Sequence, residues 1–166
     1  FGRIDSVGLQ WPCLDAEHPG TKYLHKVKFT RGKGKFHAVE FIEPNELPSE
    51  EYPFILSTGR QLYQFHTGTM TREGRGLNML YPELLAEINP EDASSLGIGN
   101  GDFVHVASRR GDIEVKTTIS ERPDKGVIFV PFHFKESPVN VLTINAIDPI
   151  AKIPEYKVCA VRVEKV

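Results

Sequence analysis

From Tyr52 to Val163 the apolar residues of this 166-residue chain come in short bursts, each closed by a turn signal, and this restricts the fold to many short strands. Phe54-Ile55-Leu56 is a compact run suited to a buried central strand, and Gly59 ends it. Leu84 to Ile88 reads as a second strand, although Leu84-Leu85 would equally suit a helical turn. Phe103 to Ala107 and Ile113 to Ile119 flank the turn Arg110-Gly111-Asp112, and the alternation of the second arm marks a half-buried strand, so the two form a hairpin. Val127 to Phe132 is a further buried strand and Val158 to Val163 a closing one.

One helix is signalled clearly, over Pro90 to Leu96. Asn89 is an N-cap, Pro90 takes the first helical position, Glu91 and Asp92 favour the positive end of the dipole, and Gly97 offers a left-handed stop. Many short strands with one short helix, and no alternation of strands with helices, point to a mainly β closed barrel rather than a doubly wound sheet. No internal repeat or low-complexity tract is present.

Residues 1–50 read differently, as an irregular extended lead-in with a basic patch at Lys33-Gly34-Lys35 and short extended pieces such as Phe36 to Ile42. The expectation is a lead-in over 1–50 wrapping a barrel domain over 51–166. A formal charge of −2 gives no basic excess for nucleic acid or an anionic membrane, and no apolar run is long enough for membrane insertion. Cys13 and Cys159 sit far apart without CxxC spacing, which argues against a disulfide framework or a zinc or iron–sulfur site in this chain and favours a reducing, cytoplasmic compartment. Phe1 follows no initiator Met and opens no signal peptide, so the chain is expected to be part of a longer polypeptide.

Three stretches carry chemistry. Ser57 to Arg72 gathers hydroxyl, imidazole and guanidinium groups around Gly59 and Gly68, directly after a strand. A glycine there lets backbone N–H groups approach an anion, and Arg60 adds a planar fork for phosphate or a carbonyl-bearing base. Gln64, His66, Thr67, Thr69 and Thr71 add uncharged donors and acceptors that a core would not tolerate unsatisfied. A polar surface loop would look the same, and the residues alone leave both readings open. Pro131-Phe132-His133-Phe134, followed by Asn140, Thr143 and Asn145, offers a stacking face and a donor, yet also suits a satisfied histidine on a barrel rim. Tyr156 and Lys157, just before the last strand, suit cofactor contact or plain solvation. His18, His25, His37 and His105 lack metal-binding spacing and read as surface or packing residues.

These stretches, with Leu9-Gln10-Trp11-Pro12-Cys13, the segment Glu87 to Ala93 and Lys152 to Arg162, closely resemble the C-terminal molybdopterin-guanine-dinucleotide-binding domain of formate dehydrogenase alpha subunits, over nearly the whole chain. The resemblance implies a six-stranded double-psi barrel of the aspartate-decarboxylase-like type. It also implies that Thr58, Gly59, Arg60, Leu62, Gln64, His66, Thr67 and Thr69 belong to a cofactor-binding loop, and that Phe132, His133, Asn140, Tyr156 and Lys157 face the pterin. Gln64 stands where the family often has His, but it still donates and accepts. Molybdenum or tungsten would be ligated outside this chain, an iron–sulfur cluster would lie elsewhere in the enzyme, and upstream domains of the same subunit and electron-transfer subunits would be the partners.

No Gly-Ser dipeptide occurs, which excludes the self-cleaving pyruvoyl decarboxylases of the same barrel type, and neither GxGxxG nor GxxxxGK[ST] supports a Rossmann or P-loop site. The resemblance thus implies a domain that orients and shields the cofactor of an enzyme oxidising formate to carbon dioxide, inactive as an isolated chain. The same domain of a nitrate reductase or formylmethanofuran dehydrogenase, or a double-psi barrel serving as a protein-binding module, are the alternatives.

Overall fold

The computed structural model describes residues 8–166, so residues 1–7 of the lead-in lie outside the described residues. Two compact units emerge, one ending at Phe41 and one covering Ile42–Val166. Residues 42–50, which the sequence pattern groups with the lead-in, cluster with the barrel. Within the first unit, Phe29 and Gly32 exchange backbone hydrogen bonds of 2.9 and 2.8 Å, and Thr21 N donates to Gln10 O at 2.7 Å. The expected extended piece at Phe36 to Ile42 joins no strand.

The second unit is a closed six-stranded barrel of β1 (Phe54–Gly59), β2 (Leu85–Ile88), β3 (Phe103–Ala107), β4 (Asp112–Ile119), β5 (Val127–Pro131) and β6 (Cys159–Lys165), in the spatial order β1-β5-β2-β4-β3-β6. This is the double-psi barrel that the resemblance implies. β1 runs parallel to β5 and β2 parallel to β4, while the remaining neighbours are antiparallel. Exchanging β1 with β4, β2 with β5 and β3 with β6 leaves every neighbour relation unchanged, so the barrel has a two-fold topology without a sequence repeat.

Alternation along the strands fills the interior. Leu56, Ile88, Val104, Val106, Ile128, Val130 and Val161 are fully buried. Each such aliphatic side chain contributes roughly 1.5–3 kcal/mol by leaving water. The hairpin forms as the turn residues predict, with Phe103 opposite Lys116 and Ala107 opposite Asp112. α2 (Pro90–Leu96) is also as predicted: Asn89 Oδ1 accepts from Glu91 N at 3.0 Å, and Gly97 is left-handed at φ 65°. The sequence did not signal α1 (Arg75–Leu80), which has no side-chain N-cap and buries no residue. Among the described residues no helix is long and apolar enough to cross a membrane.

Candidate functional site

The parallel pairing of β1 with β5 builds the site. Gly59 lies opposite Pro131, so the chain leaves both strands at the same end of the barrel, and loops 60–70 and 132–138 begin side by side. β6 is antiparallel to β1, with Leu56 opposite Cys159, which puts the residues entering β6 beside the end of β1. There the Thr58 hydroxyl donates to Tyr156 O at 2.9 Å, and Lys157 Nζ donates to Thr58 O. Segments almost a hundred positions apart thus share one rim.

Within loop 60–70, polar density serves two purposes. Gln64 is buried, accepts from the Thr71 hydroxyl at 2.6 Å and reaches Asn78 at 3.5 Å; Phe65 N donates to Thr71 Oγ1 at 3.0 Å, and Asn78 Nδ2 donates to Arg72 O. These bonds tie the loop to α1 and fix its path. His66 and Gly68 both take left-handed backbone conformations, φ 53° and 74°, and present Thr67 and Thr69 outward with their hydroxyls 3.0 Å apart. A left-handed residue with a β-carbon costs about 1 kcal/mol, so the surrounding bonds hold His66 there.

Two adjoining clefts open at this rim and share Thr67. The first, about 420 Å³, is lined by Arg60, His66, Thr67, Phe132, Asn140, Tyr156 and Lys157. That volume suits a small-molecule site. Its walls carry two cations and no carboxylate, and the His66 and Phe132 rings meet edge-on at 5.6 Å. Among the described residues, the side chains of Arg60 and Asn140 make no hydrogen bond within the chain. The second cleft, about 360 Å³, is lined by Thr67, Gly68, Thr69, Arg72, Glu73, His133, Lys135 and Glu136.

His133 is the anomaly of the second cleft. It is 2% exposed and packs in a three-ring cluster with Tyr81 and Phe134, and among the described residues neither ring nitrogen has a hydrogen-bond partner. Burial, reinforced by the positive charge of Arg72, lowers its pKa below the ordinary histidine value, which favours the neutral form. A neutral imidazole offers one donor and one acceptor, and leaving both unmet in a packed interior costs roughly 1–3 kcal/mol per group.

Of the residues singled out in the sequence, Arg60, His66, Thr67, Phe132, Asn140, Tyr156 and Lys157 meet in the first cleft, and Thr69 and His133 in the second. Of the residues that the resemblance assigns to the cofactor, four lie outside both. Leu62 is 88% exposed, Gln64 is turned inward, Thr58 is buried as the tether to Tyr156, and a β-carbon on Gly59 would come within 2.4 Å of the Phe129 ring. Gly59 therefore lets β1 pack closely against the Phe129 ring. Sequence reasoning missed Lys135 and Glu136 and gave Arg72, inside the chemistry-bearing stretch, no contact of its own; their convergence depends on which loops the barrel brings together. Also among the described residues, no three His, Cys, Asp or Glu side chains are grouped to hold a metal ion.

Comparison with known proteins bears on this geometry. The family model described as "Molydopterin dinucleotide binding domain" matches residues 54–160, which span the whole barrel from β1 into β6. The chain belongs to this family of molybdopterin dinucleotide-binding domains. It is 53% identical, over its full length, to the F420-dependent formate dehydrogenase subunit alpha of Methanocaldococcus jannaschii. It is 48% identical, again over its full length, to the F420-dependent formate dehydrogenase 2 subunit alpha of Methanococcus maripaludis. In both cases it spans 25% of the relative's length. Among solved structures, acetylene hydratase from Pelobacter acetylenicus shares the fold, with a TM-score of 0.63 at 19% identity over 75% of this chain and 21% of that one. The family is the one that the sequence resemblance named, and the fold is the closed barrel that the strand pattern pointed to and the double-psi barrel that the resemblance implied.

Proposed function

We propose that the rim formed by loops 60–70 and 132–138 and by residues 156–157 binds the guanine-dinucleotide arm of a molybdopterin cofactor in an enzyme that oxidises formate. The observation that carries this reading is the first cleft, where Arg60, Phe132, Asn140, Tyr156 and Lys157 arrive from three distant segments and leave charge and hydrogen-bonding capacity unspent. Two features fit the residues to such a group. Cations and aromatic faces without a carboxylate suit an anionic heterocycle, and the orphaned His133 imidazole lines an adjoining cleft that an elongated dinucleotide could also reach.

When bound, the cofactor would supply the metal-centred oxidation of formate, with molybdenum or tungsten ligated by residues outside this chain. The residues here would bind and orient the dinucleotide and exclude water from it. An iron–sulfur cluster and electron-transfer subunits belong to the remainder of the enzyme in this reading. Exposed apolar side chains at Leu62, Phe65, Met70 and Met79, in the same loop and in α1, support coverage by upstream domains of the subunit. By itself the chain is expected to show no formate oxidation.

The test is to isolate the native polypeptide that carries this segment, hydrolyse it in acid and assay released nucleotide against chain mass. One GMP or more per chain, on a polypeptide much longer than 166 residues, supports the reading. A short polypeptide with no nucleotide would instead favour a protein-binding barrel.

A further inference from the structure

The second cleft holds an ion pair placed where a ligand would be. Arg72 Nη1 and Nη2 donate to the two carboxylate oxygens of Glu136 at 2.7 and 3.0 Å, joining the 3-10 turn Thr71–Glu73, which follows loop 60–70, to loop 132–138 in the wall of the cleft. The two partners are held very differently. The backbone of Arg72 is fixed by Gly68 O, which accepts from its N–H at 2.9 Å, and by Asn78. Its guanidinium stacks on the Phe134 ring at 4.6 Å, and its side-chain carbons pack against Gly68, where an added β-carbon would come within 2.9 Å. The Glu136 side chain sits in an exposed turn and is 56% exposed. Breaking the pair would release Glu136 to water and leave Arg72 in place.

Around that fixed guanidinium the cleft offers the Thr67 and Thr69 hydroxyls and Lys135, while the His133 imidazole in its wall is buried. With Glu136 in position, Arg72 and Lys135 are balanced by Glu136 and Glu73 and the cleft carries no net charge. With Glu136 swung out it gains one positive charge and a planar fork of two N–H donors, the geometry that matches a phosphate edge.

We propose that Arg72 and Glu136 form a displaceable clasp: Glu136 occupies the guanidinium until a phosphate or diphosphate group of the ligand takes its place. This rests on the reading that the rim binds a dinucleotide, and assigns the phosphates to the second cleft. The carboxylate keeps Arg72 aligned in the free domain, and its loss of partner on binding selects for ligands carrying enough negative charge to replace it. Exposed carboxylate–guanidinium pairs are weak, so the displacement is energetically accessible.

The experiment is NMR on the full 166-residue chain, with inorganic pyrophosphate as the probe and guanosine monophosphate titrated separately. In the free chain the hydrogen bond from Arg72 holds the Glu136 carboxyl below the usual carboxylate range. Saturating pyrophosphate should return that midpoint to the ordinary range and shift the Arg72 Nε–H signal. Glu136→Gln should bind pyrophosphate about three- to fivefold more tightly, the weight of one exposed ion pair. Arg72→Gln should abolish saturable binding. Circular dichroism of both variants checks that the fold is kept. A Glu136 midpoint that stays low in the presence of pyrophosphate, a Glu136→Gln affinity no higher than that of the parent, or no saturable pyrophosphate binding overturns the clasp. The guanosine monophosphate titration separates the two ideas: binding with an inert clasp leaves the dinucleotide reading standing, whereas an opening clasp without nucleotide binding leaves only the phosphate subsite.

Discussion

Glu46 pins the segment before β1 to the barrel, and its removal should cost stability in a pH-dependent way. The carboxylate accepts from Arg110 Nη1 and Nη2 at 2.9 and 2.7 Å, from Arg109 Nη1 at 2.7 Å and from Ala160 N at 3.0 Å. Its side chain is 9% exposed. The hydrogen bond from Arg110, aided by those of Ala160 and Arg109, outweighs desolvation and lowers its pKa from 4.5 to about 2. At 1.36 kcal/mol per pH unit such a depression corresponds to about 3 kcal/mol. Because Arg109 and Arg110 remain 43% and 25% exposed, solvent screening reduces this to about 1.5–2 kcal/mol. Glu46→Gln keeps an acceptor for Ala160 N and removes the charge. For a domain of this size it should lower the melting temperature by about 3–8 °C at pH 7. A depressed carboxylate stabilises the fold fully above its unfolded pKa and loses that contribution as pH falls through the folded value. The gap between parent and variant should therefore be full at pH 7 and shrink to less than half by pH 3. Urea titrations at both pH values measure it. Equal stability at pH 7, or an undiminished gap at pH 3, would refute the reasoning. A chain starting at residue 51 lacks Glu46 and should lose at least as much.

Gly59→Ala would drive a β-carbon to 2.4 and 2.6 Å from ring carbons of Phe129, an overpacking cost of about 1–3 kcal/mol; adding Phe129→Leu should recover part of it, and strict additivity in thermal unfolding would contradict the packing account. Burial pushes the Cys159 thiol up to about 11, and its Sγ–H donates to Leu142 O at 3.5 Å. Native chain treated with a thiol reagent near neutral pH should therefore react at the exposed Cys13 and spare Cys159 until denaturant is added. Comparable native rates at the two would show that the barrel opens readily there. Arg60→Ala should weaken guanine-nucleotide binding about tenfold, the weight of a charge-assisted hydrogen bond, and leave the melting temperature unchanged because its exposed side chain has no hydrogen-bond partner among the described residues; calorimetry reading unaltered affinity would remove Arg60 from the site.

Most strands and α2 were legible because their signals are local. Asn89-Pro90 and Gly97 bracket the helix by their own side-chain and backbone preferences, and the alternation from Ile113 to Ile119 reports burial on one face. α1 was not legible, since its N-cap is a glycine without a side-chain bond and its order comes from Asn78 holding Arg72 O and from contact with Gln64. The first cleft was visible as residue types whose grouping was anticipated through family likeness. The parallel register that puts Gly59 beside Pro131 is set by barrel closure, which no window of sequence encodes. For the same reason Gln64 looked like a ligand-binding group. Only the fold turns it toward Thr71 and away from the cleft.

The two-fold topology provides an internal control for where binding belongs. The counterparts of β1 and β5 are β4 and β2, which end at the opposite rim because β2 is antiparallel to β5. There the emerging segments close on each other. Ser120 N donates to Ile88 O at 3.0 Å, Asn89 Nδ2 to Pro123 O at 3.0 Å and Gly126 N to Asp92 Oδ2 at 2.6 Å, and Lys125 pairs with Glu91 at 2.8 Å. At the β1 and β5 rim, equivalent strand ends carry longer loops, two clefts, and the unpartnered groups of Arg60, Asn140 and His133. The opposite rim also borders a cleft, of about 270 Å³, beside Arg122, Pro123 and Asp124, but of the three unpartnered groups at the β1 and β5 rim only His133 is buried, and a buried polar group without a partner opposes folding. The difference lies in the loop sequences, and it supports the proposal that a ligand completes the open rim.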